Sequence, residues 1–365
     1  MQKAVPRLQE LAVATVRSLA VPLIAVLLAL VIGGIIIVLD GSNPLLAYEA
    51  LFRGAFGSER AFGRTLEKMT PLIFSGLSVA FGFRAGLFNI GAQGQLILGA
   101  IAAAWVGYAV TGVPPILHAA LALLAAAIVG GLWGAIPGAL RAYTGAHEVI
   151  TTIMLNYVAI NITDWLSDGL MKDMSGGGVV ARTPKILPSA EVGSLLGIPV
   201  GVILAVVIAA FVWWLVWRTT YGFEIRTVGL NPSAAKYAGM KVARTIVTTM
   251  ILAGVLAGFG GGVETLGVVG RYQPGFNIGL GFDGITVALL GKNHPIGVIP
   301  AALIIGAMKA GSSQMQFDAK VAKEITDVIQ ALLLFFVAAD VIIRSLIRMR
   351  VRPGEKVTLS TGWGR

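Results

Sequence analysis

Residues 19–39 read LAVPLIAVLLALVIGGIIIVL, a run of 21 residues without a charge. About 20 such residues in an α-helix suffice to cross the ~30 Å hydrocarbon core of a bilayer. Lys3, Arg7 and Arg17 precede the run, as basic residues precede the apolar part of a signal peptide. The run is too long for that role, and residues 40–43, DGSN, offer no small-residue cleavage site. We therefore interpret it as the first membrane span.

The composition of the whole chain extends this interpretation. Apolar residues make up 56% of the 365 residues, the mean hydropathy is +0.83, and charged residues reach only 13%. Soluble domains contain about 25% charged residues. The lack of cysteine excludes disulfides, thiol catalysis and cysteine-ligated zinc. The chain is therefore predicted to be an all-α polytopic membrane protein.

Further apolar runs predict about ten transmembrane helices in total. After the first span, the others lie at residues 70–83, 87–110, 116–140, 147–163, 196–217, 245–268, 278–291, 295–309 and 325–343. Several are short, and Pro71, Pro137 and Pro295 lie inside or at the ends of spans. Broken backbone at membrane depth is tolerated where other protein surrounds it, so we expect broken helices inside a bundle.

The distribution of charge predicts the orientation in the membrane. With the N-terminus in the cytoplasm, the cytoplasmic segments carry +13 and the remainder −3, for a total of +10. Because cytoplasmic loops are rich in Lys and Arg, both termini are predicted to be cytoplasmic. The cytoplasmic side then includes residues 1–18, a loop at 219–244 and a basic tail at 344–365. Residues 40–70 and 164–195 become external loops, the latter with room for one short interfacial helix. The charge thus indicates orientation and not a nucleic-acid partner.

Two sets of glycines recur at helical spacing. They are Gly130, Gly134 and Gly138 in one span, and Gly254, Gly258 and Gly262 in another. Residues four apart share one face of a helix, and small residues there allow close helix–helix approach. We interpret both sets as packing stripes.

A tetrapeptide occurs twice in the chain. Residues 88–91, FNIG, recur at residues 276–279, and each copy opens a predicted span. In the predicted topology the first span enters from the cytoplasm and the second from outside, as in an inverted repeat.

Polar side chains inside apolar spans are costly, so they usually line a cavity or bond across helices. The candidates for a substrate pathway are Asn89, Gln93, Gln95, Glu148, Asn156, Glu264 and Asp283, with Phe88 as an aromatic surface. Amides both donate and accept hydrogen bonds, which suits a neutral solute that carries hydroxyl groups or a base. Interhelical bonding and helix capping are the alternative roles for each of these residues.

The predicted cytoplasmic loop contains a short helix signal. Asn231 can cap a helix that begins at Pro232, and Gly239 can end it. The helix carries small alanines, which suit insertion into a groove on a protein. An interfacial helix that binds lipid is the alternative, although such helices favour bulky apolar residues and a denser cationic face.

Several apparent motifs do not support other functions. The G-x-G-x-x-G pattern at 279–284 lies at a span and not in a βαβ unit, and residues 284–293 have the wrong spacing for an ATP-binding loop. The three histidines are scattered, so no metal site is expected. Because no nucleophile–base constellation appears, the chain is not expected to be an enzyme.

Four stretches resemble ABC importer permeases of the branched-chain amino-acid, ribose and nucleoside group. Residues 229–239 are similar to the coupling-helix motif, and residues 86–95, GLFNIGAQGQ, to the third-span signature. Residues 148–157, EVITTIMLNY, and 281–291, GFDGITVALLG, resemble the nucleoside and simple-sugar branch. The resemblance covers residues 70–310.

This resemblance implies a single transmembrane permease domain over residues 1–365, in the cytoplasmic membrane of a bacterium. It implies a second homologous permease, with a heterodimer expected over a pair of identical copies. It also implies a cytoplasmic ABC ATPase that holds ATP and Mg, and an extracytoplasmic substrate-binding protein. The residues implied in ATPase coupling are Gly229, Asn231, Pro232, Ala234, Ala235, Tyr237 and Gly239.

The resemblance leaves the solute open within the group. A nucleoside is expected, and a simple sugar such as ribose or a branched-chain amino acid is the alternative. An ion-driven secondary transporter is the rival class, because it also uses inverted repeats and broken helices. That class needs an acidic group near the membrane midplane, for which Glu264 and Asp283 are the candidates. It leaves the cytoplasmic coupling loop unexplained.

Overall fold

A computed structural model describes residues 4–175, 177–195, 197–275 and 279–339, with side chains from Pro22 onward. Over these residues the chain forms thirteen α-helices and one two-stranded hairpin. The helices are α1 (Ala4–Leu39), α2 (Pro44–Phe56), α3 (Glu59–Arg84), α4 (Ala92–Ala109), α5 (Pro115–Ala139), α6 (Glu148–Asp168), α7 (Val200–Arg218), α8 (Thr220–Leu230), α9 (Pro232–Tyr237), α10 (Val242–Glu264), α11 (Leu280–Leu290), α12 (Pro295–Ala319) and α13 (Glu324–Ala338). The strands are β1 (Ser194–Leu195) and β2 (Ile198–Pro199).

The prediction of an all-α polytopic membrane protein is confirmed. Six helical segments of the described chain are long and apolar enough to cross a membrane, and α11 is a shorter apolar helix. The ten predicted spans each overlap a helix, although the span at 87–110 begins as a loop and becomes helical only at Ala92. The number of spans and the side on which the termini lie stay predictions, and the tail 344–365 lies outside the described residues.

The prediction that residues 40–70 form a loop is wrong. This segment holds all of α2 and the first turns of α3. The side chain of Asn43 accepts hydrogen bonds from the backbone N–H groups of Leu45 and Leu46, and Pro44 occupies the first helical position. Asn and Pro at these positions favour a helix start, and all but one of the charged residues that suggested a loop lie on α2 and on the first turns of α3.

The other two polar segments follow their predictions more closely. The stretch after α6 is irregular and contains a short 3-10 turn, Pro188–Ala190, and the β1–β2 hairpin. Residues 219–244 contain the predicted short helix as α9. They also contain α8, which the sequence did not indicate.

The chain divides into two compact units, so the predicted single domain stays a prediction. Among the described residues, one unit holds residues 4–58 and 308–339, and the other holds Glu59–Ala307. In the first unit the backbones of α2 and α12 are in direct contact at Gly311. A methyl group added to Gly311 would lie 2.2 Å from the Leu51 carbonyl oxygen. The second unit contains all the candidate site residues.

The predicted glycine stripes pack against each other in the second unit. Helices α5 and α10 run antiparallel, with Gly130 opposite Gly254 and Gly258. A methyl group on Gly130 would lie 2.4 Å from the Gly254 carbonyl oxygen, and one on Gly258 would lie 2.4 Å from the Ala126 carbonyl oxygen. Helix backbones this close require glycine, so the packing interpretation is confirmed.

Some contacts around α10 match an inverted repeat that relates α3 to α10 and α4 to α11. Helices α3 and α4 both pack on α10, and α11 packs on α3. Apart from this correspondence, both α5 and α10 end in a π-helical turn before a left-handed glycine, Gly145 and Gly270. The repeat stays a prediction, because residues 276–278 of the second tetrapeptide lie outside the described residues.

Candidate functional site

A buried non-helical loop separates α3 from α4. Gly86 has a φ of +72°, a left-handed conformation that glycine adopts without strain, and it turns the chain after α3. Leu87 and Asn89 are buried although their backbone is not helical. Such a loop inside a membrane protein needs internal hydrogen-bond partners, because lipid offers none. We name residues 85–91 the buried loop.

An amide pair holds the buried loop to the helices beside it. Asn89, only 1% exposed, donates from Nδ2 to Gln95 Oε1 at 2.9 Å and to Ser78 Oγ at 3.0 Å. Gln95 Nε2 donates in return to Asn89 Oδ1 at 3.2 Å. The two amides therefore satisfy each other between α3 and α4.

A third amide fixes the same loop from α6. The Gly94 N–H donates to Asn156 Oδ1 at 2.8 Å, and Asn156 Nδ2 donates to the Ile90 carbonyl oxygen at 3.0 Å. The Asn156 side chain thus satisfies one donor and one acceptor of the backbone at the start of α4. The structure brings Asn89, Gln95 and Asn156 together around one loop. The sequence alone did not reveal that these three residues are neighbours.

Gln93 connects α4 to α11. Its Oε1 accepts a hydrogen bond from the Gly281 N–H at 2.8 Å, and a methyl group on Gly281 would lie 2.3 Å from the Gln93 Cα. Gln93 is itself buried. All four candidate amides therefore bond to protein in this conformation, and their predicted contact with solute stays a prediction.

The three acidic candidates lie on three different helices. Glu148 begins α6 and pairs with Arg141 Nε at 3.3 Å, while Glu264 ends α10 and Asp283 lies in the first turn of α11. Glu264 is 3% exposed, and its Oε2 has no hydrogen-bond partner among the described residues. Those residues also contain no group of His, Asp and Glu that could hold a metal ion. Phe88 lies at the edge of the buried loop, with its ring edge-on to Phe83 at 4.5 Å.

The predicted coupling helix has the predicted ends. Asn231 Oδ1 accepts from the Ala234 N–H at 3.0 Å, Pro232 occupies the first helical position, and Gly239 follows with a φ of +80°. Ala234 and Tyr237 are exposed, and Tyr237 is 95% exposed. The geometry of this helix is confirmed, while its contact with an ATPase stays a prediction.

Ala235 differs from the rest of this helix. Its side chain is fully buried within the chain itself, so it supports the helix from behind and does not face a partner. Gly229 is also turned inward, since a methyl group there would lie 2.2 Å from the Arg84 carbonyl oxygen. The residues on the open surface are instead Leu230, Asn231, Pro232, Ser233, Ala234, Lys236 and Tyr237.

Sequence reasoning missed a cluster around Arg84, the last residue of α3. Its Nε donates to the Asn293 carbonyl oxygen at 2.9 Å, and its guanidinium lies 4.8 Å from the Trp217 ring. His294 also lies 4.8 Å from the Trp217 ring, and burial lowers the pKa of His294, with a further contribution from the charge of Arg84. The cluster ties α3, α7 and the α11–α12 turn together next to α8.

The irregular segment after α6 is anchored by a charged cluster. Asp173 lies 3.4 Å from Arg182 and 3.7 Å from Arg271, and it accepts hydrogen bonds from Ser175. The bonds from Ser175, together with the two arginines, lower the pKa of Asp173. This cluster fixes the segment to the turn that follows α10.

These features define a polytopic helical membrane protein, in which apolar helices pack around a polar, hydrogen-bonded interior loop and a capped short helix lies beside that loop. A family profile described as the permease component of branched-chain amino acid transport systems matches residues 62–338. The chain belongs to this family of ABC transporter permeases.

Individual relatives match most of the chain. The guanosine ABC transporter permease NupP of Bacillus subtilis is 42% identical over 89% of this chain and 94% of its own length. The nucleoside ABC transporter permease NupB of Lactococcus lactis is 37% identical over 91% of this chain and 93% of its own length. The glucose ABC transporter permease TsgB13 of Haloferax volcanii is 34% identical over 86% of both chains. These relatives are permease subunits and not enzymes.

Proposed function

We propose that this chain is the permease subunit of an ABC importer for nucleosides. The observation that carries the proposal is the backbone contact between Gly229 and Arg84, which joins the α8–α9 segment to the buried loop. An importer driven by a separate ATPase needs such a connection, because the energy source and the solute pathway lie in different places. The identity to permeases named for guanosine and nucleosides supports the choice of solute.

In this proposal the α8–α9 segment docks on a cytoplasmic ABC ATPase. ATP and Mg bind to that partner, and the movement of its surface reaches α9. Tyr237 and Leu230 offer exposed apolar contacts, and aromatic side chains are enriched at the centres of protein interfaces. Gly229 then transmits the displacement to Arg84 and to the buried loop that follows it.

The buried loop is the part of the pathway that this displacement reaches first. It is held by hydrogen bonds from the amides of Asn89, Gln95 and Asn156. A solute with hydroxyl groups or a base offers donors and acceptors that can replace the present partners of these amides. A shift of α8 that moves residues 84–86 changes these bonds directly. The exchange of amide partners therefore couples the ATPase cycle to opening of the path.

The remaining partners follow from the family. A second homologous permease completes the pathway, and an extracytoplasmic binding protein delivers the solute to the outer segments. The location is the cytoplasmic membrane of a bacterium. Asp173 ties the outer stretch after α6 to Arg182 and to Arg271 in the turn that follows α10, and this stretch is where we place the docking surface for the binding protein.

A simple sugar is the second candidate solute. The match to a glucose permease at 34% identity favours it, although at lower identity than the two nucleoside permeases. An ion-driven transporter is supported less well, because Glu264 and Asp283 lie on different helices, α10 and α11, and the coupling helix has no role in it.

Uptake by right-side-out membrane vesicles tests the proposal. Vesicles that contain this chain with its co-purifying subunits should import labelled guanosine only when ATP is present on the cytoplasmic side. Dissipating the proton and sodium gradients should leave the rate unchanged. Uptake that follows an ion gradient and does not need ATP would contradict the proposal.

A further inference from the structure

Two arginines from different helices converge on one tryptophan at the end of α7. The Arg84 guanidinium carbon lies 4.8 Å from the centre of the Trp217 ring, and that of Arg226 lies 6.0 Å from the same point. Arg84 is the last residue of α3, and Arg226 lies in the middle of α8. Three helices therefore bring two positive charges to one place.

Neither arginine is neutralised by a carboxylate. No Asp or Glu of the described residues forms an ion pair with Arg84 or Arg226. Glu224 lies two residues before Arg226, and side chains two residues apart do not face each other on a helix. Burial lowers the pKa of Arg84, and the charge of Arg226 lowers it further. An anion beside the two charges would therefore be stabilising.

Both guanidinium groups are held through their Nε atoms, which leaves outer N–H groups for another partner. Arg84 Nε donates to the Asn293 carbonyl oxygen at 2.9 Å, and Arg226 Nε donates to the Gly222 carbonyl oxygen at 3.3 Å. One outer nitrogen of Arg84 also donates to the Lys292 carbonyl oxygen, at 3.4 Å. The outer nitrogens of Arg226 have no acceptor among the described residues. Paired N–H groups of this kind match two oxygens of a phosphate group.

The direction of Arg226 separates this cluster from the surface proposed to contact the ATPase. Gly222, one turn before Arg226 on the same face of α8, packs against α7. A methyl group on Gly222 would lie 2.2 Å from the Leu215 carbonyl oxygen. Arg226 therefore faces back to the end of α7, whereas Leu230 and Tyr237 lie on the open surface of the α8–α9 segment.

The end of α7 has the composition of a membrane surface. Helix α7 is long and apolar enough to cross a membrane, and it ends at Arg218. Trp213, Trp214 and Trp217 lie in its last two turns, as in the aromatic belts found at the level of lipid headgroups. Arg218 adds a third positive charge, with its guanidinium 5.8 Å from the Trp213 ring centre. Basic pockets between the ends of spanning helices bind anionic headgroups.

We propose that Arg84 and Arg226 form a binding site for the phosphate group of an anionic phospholipid beside Trp217. The headgroup enters from the membrane at the end of α7, and the two guanidinium groups donate to its phosphate oxygens. A zwitterionic phospholipid carries the same phosphate together with an ammonium group, which the two arginines repel. The bound lipid joins α3 to α8. This site is independent of the solute and goes beyond the proposed function.

Binding of tritiated phosphatidylglycerol to the purified complex tests the site. The chain is captured with its co-purifying subunits on scintillation beads in mixed micelles of detergent and phosphatidylcholine. Arg226→Gln should weaken phosphatidylglycerol binding about tenfold, because hydrogen bonds to a charged group contribute at least that much. If that variant inserts poorly, Arg226→Lys is the second probe. It should also bind more weakly, since lysine retains the charge without the paired N–H groups.

Arg244→Gln is the matched control. It removes one positive charge from the exposed start of α10, in the same predicted cytoplasmic loop as Arg226. We expect it to bind phosphatidylglycerol as the unmodified chain does. Equal losses in Arg226→Gln and Arg244→Gln would reduce the effect to general surface charge and overturn the inference.

Competitors identify the source of the phosphate. Unlabelled phosphatidylglycerol should displace the tritiated lipid, while phosphatidylcholine with the same acyl chains and millimolar inorganic phosphate should not. Displacement by inorganic phosphate would assign the site to a free anion, and displacement by phosphatidylcholine would remove its charge selectivity. Lipid that binds the permease alone but not the complex with the ATPase would assign the arginines to that partner. Each of these results would overturn the inference and leave the proposed solute unaffected, because no uptake is measured.

Discussion

Gly229 and Arg84 lie in backbone contact, so close that a methyl group on Gly229 would lie 2.2 Å from the Arg84 carbonyl oxygen. Gly86 approaches from the same side, since a methyl group there would lie 3.1 Å from the Gly229 carbonyl oxygen. The α8–α9 segment is thus seated directly on the start of the buried loop. Because backbone meets backbone here, a displacement of α8 is not absorbed by a flexible side chain.

Replacing Gly229 by valine should separate α8 from the buried loop. The added side chain meets backbone, and overpacking of this kind costs about 1–3 kcal/mol. We expect ATP-driven uptake to fall at least about tenfold while the chain still inserts in the membrane. Uptake and ATPase activity of the assembled complex, measured together, check this result.

Gly63→Val is the matched control, because Gly63 lies in α3 with no heavy atom of the described residues within 4 Å of an added methyl group. It should leave uptake close to the unmodified rate. If Gly229→Val transports as well as Gly63→Val, the contact with Arg84 does not transmit motion.

Tyr237→Ala should weaken binding of the ATPase without weakening the permease. Tyr237 is 95% exposed, so its removal should change the free energy of unfolding by less than about 0.5 kcal/mol. An aromatic side chain at the centre of an interface contributes enough for about a tenfold loss of affinity. Co-purification of the ATPase with the tagged permease measures the effect.

Leu170→Ala provides the comparison for that experiment. Leu170 is a similarly exposed apolar side chain, 77% exposed, in the segment predicted to be external. The ATPase should be retained by this variant. Equal retention by both variants would remove Tyr237 from the docking surface.

Asn156→Leu should release the buried loop. The Gly94 N–H and the Ile90 carbonyl would both lose their partner in a buried site, at a cost of about 2–6 kcal/mol for the two groups. The thermal midpoint of the detergent-solubilised complex should fall and uptake should be lost. Thr152→Val, which removes a buried hydroxyl bonded to carbonyl oxygens of its own helix, should lower the midpoint much less. Similar midpoints for the two variants would contradict the role of Asn156.

The segment 169–187 should detach at acid pH. The pKa of Asp173 is lower in the folded protein than in the unfolded chain, chiefly because of the bonds from Ser175, so the charged cluster stabilises the segment above about pH 4. That stabilisation is lost as the pH falls through the lower, folded pKa. Hydrogen exchange of this segment should therefore be slow and constant from about pH 7 to about pH 5 after correction for intrinsic rates, and faster below about pH 4.

Asp173→Asn should make exchange of the segment fast at every pH. Asp168→Asn, which removes only the exposed pair with Lys172, should keep the behaviour of the unmodified chain. A pH response that persists in Asp173→Asn would assign it to another group.

The sequence alone predicted those features that depend only on residues close to one another along the chain. Spanning helices follow from apolar runs, and the glycine stripes follow from spacing by four residues. The cap at Asn231 and Pro232 follows from two adjacent residues. The same pair of residue types at Asn43 and Pro44 begins α2, but the charges that follow concealed it, and residues 40–70 were wrongly predicted to be a loop.

The site depends on contacts between distant residues, which one sequence does not reveal. Polar residues were found from their cost in lipid, but that cost does not distinguish an amide that bonds to protein from one that faces solute. The helix that carries Ala235 was predicted correctly. Which face of that helix is buried depends on how α9 packs on the rest of the chain, and the structure buries the face with Ala235. The contact of Gly229 with Arg84 required the fold itself.

The most direct test of the central claim is uptake of labelled guanosine, ribose and leucine by cells with and without this chain. The account predicts that loss of the chain abolishes high-affinity guanosine uptake and leaves ribose and leucine uptake unchanged, and that the intact gene restores guanosine uptake. Unchanged guanosine uptake, with loss of ribose or leucine uptake instead, would contradict the assignment of the solute.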